Sequence, residues 1–353
     1  MLARPSDRPL RMSDPAPPAS TPPAAADRLA GASVAPPRAD EPAPASRWNG
    51  LWWSVLAVAA VELIGHAVVQ SRVATRDQWA DALALVRDEW QPTDLVVAAP
   101  EWADPLLREA AGDLVDRPMA GRSDTAAYGR MWVVSVRGHR APEAPEAPPE
   151  LERDFGPVHV SRWALPAPSV LFDFVDHVGE ARVTRRERGE DLPCRLVQSM
   201  GNTQGGLANG PIEGAPRHLC DPARPWLWVG ATTTMDLELR GRRCISTHAA
   251  GEDPIVTRYD DVPLGSSVVV HGGIWWERER WRNGSDVVVV VRLDGEELGR
   301  MTHRDGDGWK RMEAAVPEAR RGGRGTVSFE VSSVGDPNFR AFCWAASSRG
   351  SPP

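Results

Sequence analysis

The feature that most constrains this chain is an apolar run near its beginning. From Leu51 to Val69 the sequence reads LWWSVLAVAAVELIGHAVV. A helix of that length extends about 28 Å, close to the hydrocarbon thickness of a bilayer. Trp48, Trp52 and Trp53 stand at one end, where indoles favour the membrane–water interface. We therefore read residues 48–70 as a transmembrane helix. The alternative is a buried helix of a soluble protein, because Glu62 and His66 interrupt the run. A cleavable signal peptide fits poorly, since residues 1–47 are too long for an ordinary leading segment. Glu62 and His66 lie four apart, on one helix face. Ionisable groups are costly in lipid, so they either contact a membrane partner or pair with each other and snorkel.

The flanks set the rest of the plan. Residues 1–47 are rich in Pro and Ala and have no hydrophobic period, so a disordered tail is expected. Arg38 and Arg47 precede the span and Arg72 and Arg76 follow it, so the positive-inside comparison is a tie. Cysteine placement favours one orientation. Cys194, Cys220, Cys244 and Cys343 all follow the span, and an even number in a strand-rich region fits an exported, oxidised domain. The preferred pairs are Cys194–Cys220 and Cys244–Cys343. Reduced thiols, or a zinc site that adds His218 and His248, are the alternatives. Lys310 is the only lysine, a bias typical of GC-rich bacterial coding. The expected location is thus a bacterial inner membrane, with a single pass through lipid, a cytoplasmic tail and an extracytoplasmic bulk. The net charge of −7 argues against a nucleic-acid partner.

Residues 71–165 read as a small α/β module. Trp79, Leu83, Val86 and Trp90 have helical spacing, Pro92 stops that helix, and DLVVAAP (94–100) is a buried strand. A second helix follows over 102–111, MWVVSV (131–136) is a second buried strand, and 156–165 a third. Residues 141–152, APEAPEAPPELE, form a Pro/Glu-rich loop. The stretch RDQWADALALVRDEWQPTDLVVAAPEW, with RMWVVSVRG after it, resembles the soluble post-membrane region of bacterial membrane glycosyltransferases of the dolichyl-phosphate-mannose type (residues ~76–138). Those enzymes have many spans and an acidic catalytic residue in an early extracytoplasmic loop. This chain has one candidate span and no such loop, so their activity does not carry over.

Residues 166–347 read as β structure, with 348–353 a disordered end. Short strand candidates recur between Gly-rich turns, among them 226–229, 236–240, 255–259, 267–271 and 326–332. Val287–Leu293 and Glu297–His303 flank Asp294-Gly295, a strong hairpin signal. Trp226 and Trp228 share a strand face and are expected in the core. VVVVVRLDGEELGRM, DGWKRMEAAVP, GTVSFEVSS and FRAFCWAA are similar to galactose-binding-like jelly rolls, over residues ~169–347. That resemblance implies sugar binding by aromatic and polar loop residues, often with a structural calcium. The fold class is therefore α+β multidomain: one transmembrane helix, a small α/β module and a C-terminal β-sandwich.

The most unusual segment is Trp275-Trp276-Glu277-Arg278-Glu279-Arg280-Trp281. In an extended chain Trp275, Glu277, Glu279 and Trp281 share one face. Indoles offer flat apolar surfaces to sugar rings, and carboxylates accept from hydroxyls. Trp275, Trp276, Glu277 and Trp281 are the ligand-binding candidates, against the alternative that some of them fill the core. Asp305 and Asp307, in Asp-Gly-Asp-Gly, resemble half of a calcium loop or, more simply, a solvated turn. No cofactor beyond such a structural calcium is expected. No G-x-S-x-G, H-E-x-x-H, Walker A or G-x-G-x-x-G signature is present. The sequence thus reads as a non-catalytic binding protein for envelope glycan. One alternative is a non-catalytic subunit of a multi-span glycosyltransferase complex, docked through Glu62 and His66. A second is a glycoside-processing enzyme.

Overall fold

The computed structural model describes residues 48–198 and 216–350. The expected tail over 1–47 lies outside the described residues. Trp48–Ser71 is a helix, and its side chains from Trp52 onward are exposed. It is long and apolar enough to cross a membrane. After it, Thr75 caps the next helix, Arg76–Asp88. Its hydroxyl accepts from the Gln78 amide at 3.3 Å, and the Gln78 side chain accepts from the Thr75 amide at 2.8 Å.

Helix Arg76–Asp88 buries Trp79, Ala82, Leu83 and Val86, a stripe at helical period. It packs with helix Asp104–Ala111 on a four-stranded sheet, whose order is Asp94–Ala99, Arg130–Val136, Val158–Ala164, Leu151–Phe155. The first two strands are parallel and the other pairings antiparallel. The last of these strands begins inside the expected 141–152 loop. The Glu150 amide donates to the Arg162 carbonyl at 2.7 Å, so pairing with its neighbour captures the end of the loop.

Two larger antiparallel sheets form the sandwich. One runs Lys310–Ala315, Ser267–Ile274, Ala341–Arg349, Gly241–His248, Trp228–Met235, Pro216–Leu219, Arg195–Gln198, with Val170–Asp173 also paired to Ala341–Arg349. The other runs Glu296–His303, Val287–Leu293, Arg324–Ser333, Ile255–Pro263, Arg182–Glu187, Glu190–Pro193. Arg324–Ser333 shows why they stack: Val327, Phe329, Val331 and Ser333 alternate inward. The core centres on Phe329, with Phe174 at 4.8 Å and Trp344 at 4.4 Å between ring centroids. The hairpin at Asp294-Gly295 forms as expected, with φ of 51° and 92°, the primed turn that matches strand twist.

Some expectations fail. Residues 236–240 are a turn, because buried Asp236 accepts from the Glu238 and Arg240 amides at 3.0 and 2.9 Å. Trp226 is exposed and Trp228 only half-buried; Leu227 takes the core position instead. The final strand runs to Arg349, so the sandwich extends two residues into the segment expected to be disordered. Residues 351–353 lie outside the described ones.

The α/β layer and the sandwich meet along an arginine-rich seam. The Arg243 amide donates to the Gly121 carbonyl at 2.7 Å, Arg242 to the Arg122 carbonyl at 2.8 Å, and Arg349 to Asp124 at 2.6 Å. His271 lies buried at this seam, 3.5 Å from Asp124. Burial holds its pKa down at about 4, although the Asp124 charge pulls the other way. Burial also lowers His218 and His248. Below pH 6.5 the unfolded chain takes up protons that these folded histidines refuse, so stability falls as pH drops from 6.5 toward 4. His271 alone accounts for about 2 kcal/mol by pH 5. Urea midpoints at pH 7 and 5 check this: the wild type drops, and His271→Gln drops less. An unchanged wild-type midpoint contradicts it.

Candidate functional site

The segment 275–281 is not a strand. Strand Ser267–Ile274 ends, and Trp276–Glu279 forms a single helical turn. The Glu279 carboxylate explains the switch. It is fully buried, and the amides of Gly306 and Gly308 donate to its Oε1 at 3.2 and 2.6 Å. Burial pushes the Glu279 carboxyl up. An extended chain would place Glu279 beside Trp275 and Trp281; the helical turn sends it inward.

That turn also regroups the tryptophans. Residues three apart on a helical turn share a side, so Trp275, Arg278 and Trp281 come together. The Arg278 guanidinium carbon lies 6.0 Å from the Trp275 ring, 4.7 Å from Trp281 and 4.0 Å from Phe339. Trp276 belongs to another side, where Arg280 stands 4.7 Å from its ring. Glu277 is half-buried. The structure therefore joins Trp275 and Trp281 and separates Trp276 from them. Trp281 is 51% exposed and Phe339 58% exposed. Sequence reasoning missed Phe339. Its backbone sits at φ 59°, a left-handed conformation that is costly for a bulky residue and common near functional sites.

Beneath the aromatic loops lies a buried ion pair. Arg340 donates to Asp305 at 2.6 Å, and their side chains are 2% and 5% exposed. The Gly284 amide donates to the other Asp305 oxygen at 2.8 Å. A Cβ on Gly284 would fall 1.9 Å from the Arg340 guanidinium carbon, so any side chain there would push the guanidinium off its place. The pair thus ties the 281–285 loop, the 304–308 turn and the Phe339 loop to one anchor.

No protein-family model matches this sequence, and no curated protein matches it. Among solved structures, the chain is similar to CBM51-2 in complex with GlcNAc and INT domains from Clostridium perfringens ZmpB, at 15% identity and a TM-score of 0.27. That match covers 48% of this chain and 36% of the other, so the chain spans about a third of that relative. It is also similar to CBM51 from Clostridium perfringens GH95 in complex with methyl-galactose, at 14% identity and a TM-score of 0.23, covering 34% and 79% of the two chains. A third is Caldicellulosiruptor saccharolyticus CBM27-1 in complex with mannohexaose, at 14% identity and a TM-score of 0.24, covering 34% and 80%. These scores are low; the sandwich is established by its own strand pairing.

The remaining candidates resolve individually. Cys194–Cys220 and Cys244–Cys343 are disulfides, the preferred pairing, which removes the zinc and free-thiol alternatives. His218 and His248 bond to the carbonyls of Val178 and Ala249 instead. The calcium candidates Asp305 and Asp307 turn to cations: Asp305 to Arg340, and Asp307 to Lys310 at 2.9 Å. Among the described residues no group of three or more His, Cys, Asp or Glu is arranged to hold a metal. Glu62 and His66 are both exposed on the first helix.

Proposed function

We propose that this protein is a membrane-anchored, extracytoplasmic binding protein for envelope glycan, and that it is non-catalytic. The observation that carries the reading is the aromatic cluster of half-buried Trp275 with exposed Trp281 and Phe339, around Arg278 at one edge of the sandwich. Exposed rings over a buried ion-pair anchor offer a rigid apolar face to the C–H side of a sugar, with Arg278 and Glu277 within the same loop for hydroxyls. The anchor reading is supported by the exposed apolar helix Trp48–Ser71, which needs a nonaqueous surrounding. The compartment reading is supported by the two disulfides, which persist outside a reducing cytosol.

The test uses full-length protein in detergent micelles and envelope polysaccharides in solution. Wild-type protein binds, and Trp281→Ala or Phe339→Ala each weakens binding about tenfold, the loss of one well-placed aromatic contact. Trp276→Ala, on the other side of the turn, changes affinity less than threefold. Binding unchanged in a Trp281→Ala/Phe339→Ala double variant, or no binding by the intact protein, contradicts the assignment. Protease protection in sealed inner-membrane vesicles checks the topology: the sandwich is shielded in inside-out vesicles and cut in right-side-out ones.

A further inference from the structure

A second concave site lies at the seam, remote in sequence from the aromatic loops. It is a cleft of about 510 Å³ between the α/β layer and the sandwich. One wall is the carboxyl end of the parallel strand Asp94–Ala99 with the turn carrying Glu101 and Trp102; the other is the turn between Trp228–Met235 and Gly241–His248. The volume falls in the range of small-molecule sites.

Its chemistry is specific. Two exposed apolar side chains face the cleft, Trp102 at 58% and Leu239 at 57% exposure. Leu239 holds a left-handed backbone at φ 64°, an unfavourable state for a leucine that the Asp236 turn imposes. Three carboxylates line the cleft, and each is engaged by arginine. Glu101 meets Arg240 at 2.6 Å, Glu143 meets Arg122 at 2.8 Å and Arg240 at 3.7 Å, and Asp104 pairs with Arg108. Arg242, also in the lining, is neutralised by Asp236 at 2.7 Å. Arg117 is the remaining cation of the lining. It is exposed, and among the described residues no carboxylate lies within ion-pair distance of it.

We propose that this cleft binds a uronic acid, the acidic sugar of many polysaccharides, as a mono- or disaccharide unit. Trp102 and Leu239 take the ring, Arg117 takes the carboxylate, and the carboxylates of Glu101 and Glu143 accept from hydroxyls. An exposed indole and an unpaired guanidinium lining one cleft match a ligand with an apolar C–H face, hydroxyls and a single negative charge. The site does not depend on the aromatic-loop reading, since none of its residues belongs to that cluster.

Isothermal titration of the full-length protein in micelles tests it, with glucuronate, galacturonate, their disaccharides, glucose and glucose 6-phosphate as the probes. At least one uronate binds, at least tenfold more tightly than glucose. Arg117→Ala abolishes that preference; it is an exposed residue, so its melting temperature stays at the wild-type value. Trp102→Ala weakens uronate about tenfold or more. Trp281→Ala, in the other site, leaves uronate affinity intact. Absence of uronate binding, equal affinity for glucose, tighter binding of glucose 6-phosphate, or an Arg117→Ala variant that keeps its preference overturns the proposal.

Discussion

An Arg340→Ala variant is expected to lose about 3–5 kcal/mol of folding stability, the cost of stranding one member of a buried ion pair. Arg340 and Asp305 are 2% and 5% exposed and 2.6 Å apart. Removing the guanidinium leaves the Asp305 carboxylate with only the Gly284 amide for compensation. Asp305→Ala strands the opposite charge and should cost as much. Replacing both with apolar residues, Arg340→Met/Asp305→Leu, is expected to be less damaging than either single change, because no unpaired charge remains. The exposed pair Arg304–Asp286 serves as the control, and Arg304→Ala should cost less than about 1 kcal/mol. Urea denaturation followed by tryptophan fluorescence reads all four. A loss below about 1 kcal/mol for Arg340→Ala would show that water reaches this pair. Because Phe339 is the neighbouring residue, the same variant should also lose glycan affinity.

The second large effect concerns Cys244–Cys343. These cysteines sit on adjacent strands of one sheet and are 99 residues apart in sequence. Closing a loop of that size restrains the unfolded chain by about 4.7 kcal/mol in the loop-entropy account, against about 3.5 kcal/mol for a loop the size of Cys194–Cys220, which spans 26 residues. A Cys244→Ala/Cys343→Ala variant should therefore melt about 10–20 °C lower than wild type. The Cys194→Ala/Cys220→Ala variant should fall less. Differential scanning calorimetry of the two variants gives the comparison. If the order is reversed, strain or structure retained in the unfolded chain outweighs loop closure.

The parts of the fold legible in the sequence are those where a local pattern and its tertiary outcome agree. Val287–Leu293, Asp294-Gly295 and the following strand form a hairpin whose turn residues and strand residues demand the same thing. The helix Arg76–Asp88 shows its buried stripe directly in the spacing of Trp79, Leu83 and Val86. Where the sequence misled, a distant partner decided. The 275–281 segment alternates like a strand, but Glu279 is claimed by amides 27 and 29 residues onward, and a carboxylate buried on those donors forces the helical turn. Residues 241–248, GRRCISTH, are not among the strand candidates, yet they form a strand. The Arg242 side chain crosses the seam to the Arg122 carbonyl and is held by Asp236, while Arg243 pairs with Asp176 within the sandwich. Trp226 and Leu227 compete for one inward position, and period-two reasoning cannot say which of two adjacent apolar residues wins it. Phe339 had no local signal at all, since its role comes from meeting Arg278, 61 positions earlier.

The strand Ala341–Arg349 is flanked in its sheet by Ser267–Ile274 and by Gly241–His248, both encoded upstream of it. Synthesis therefore delivers the centre of that sheet after its edges. Until it arrives, Ser267–Ile274 has only Lys310–Ala315 beside it and Gly241–His248 only Trp228–Met235, so the sheet stays in two halves and Cys244 lacks its partner. A nascent chain would therefore hold this sheet open until its last strand is made. A ribosomal stall or frameshift just before codon 341 would release a product in which this sheet stays split and Cys244 has no partner, although every strand of the facing sheet has been made.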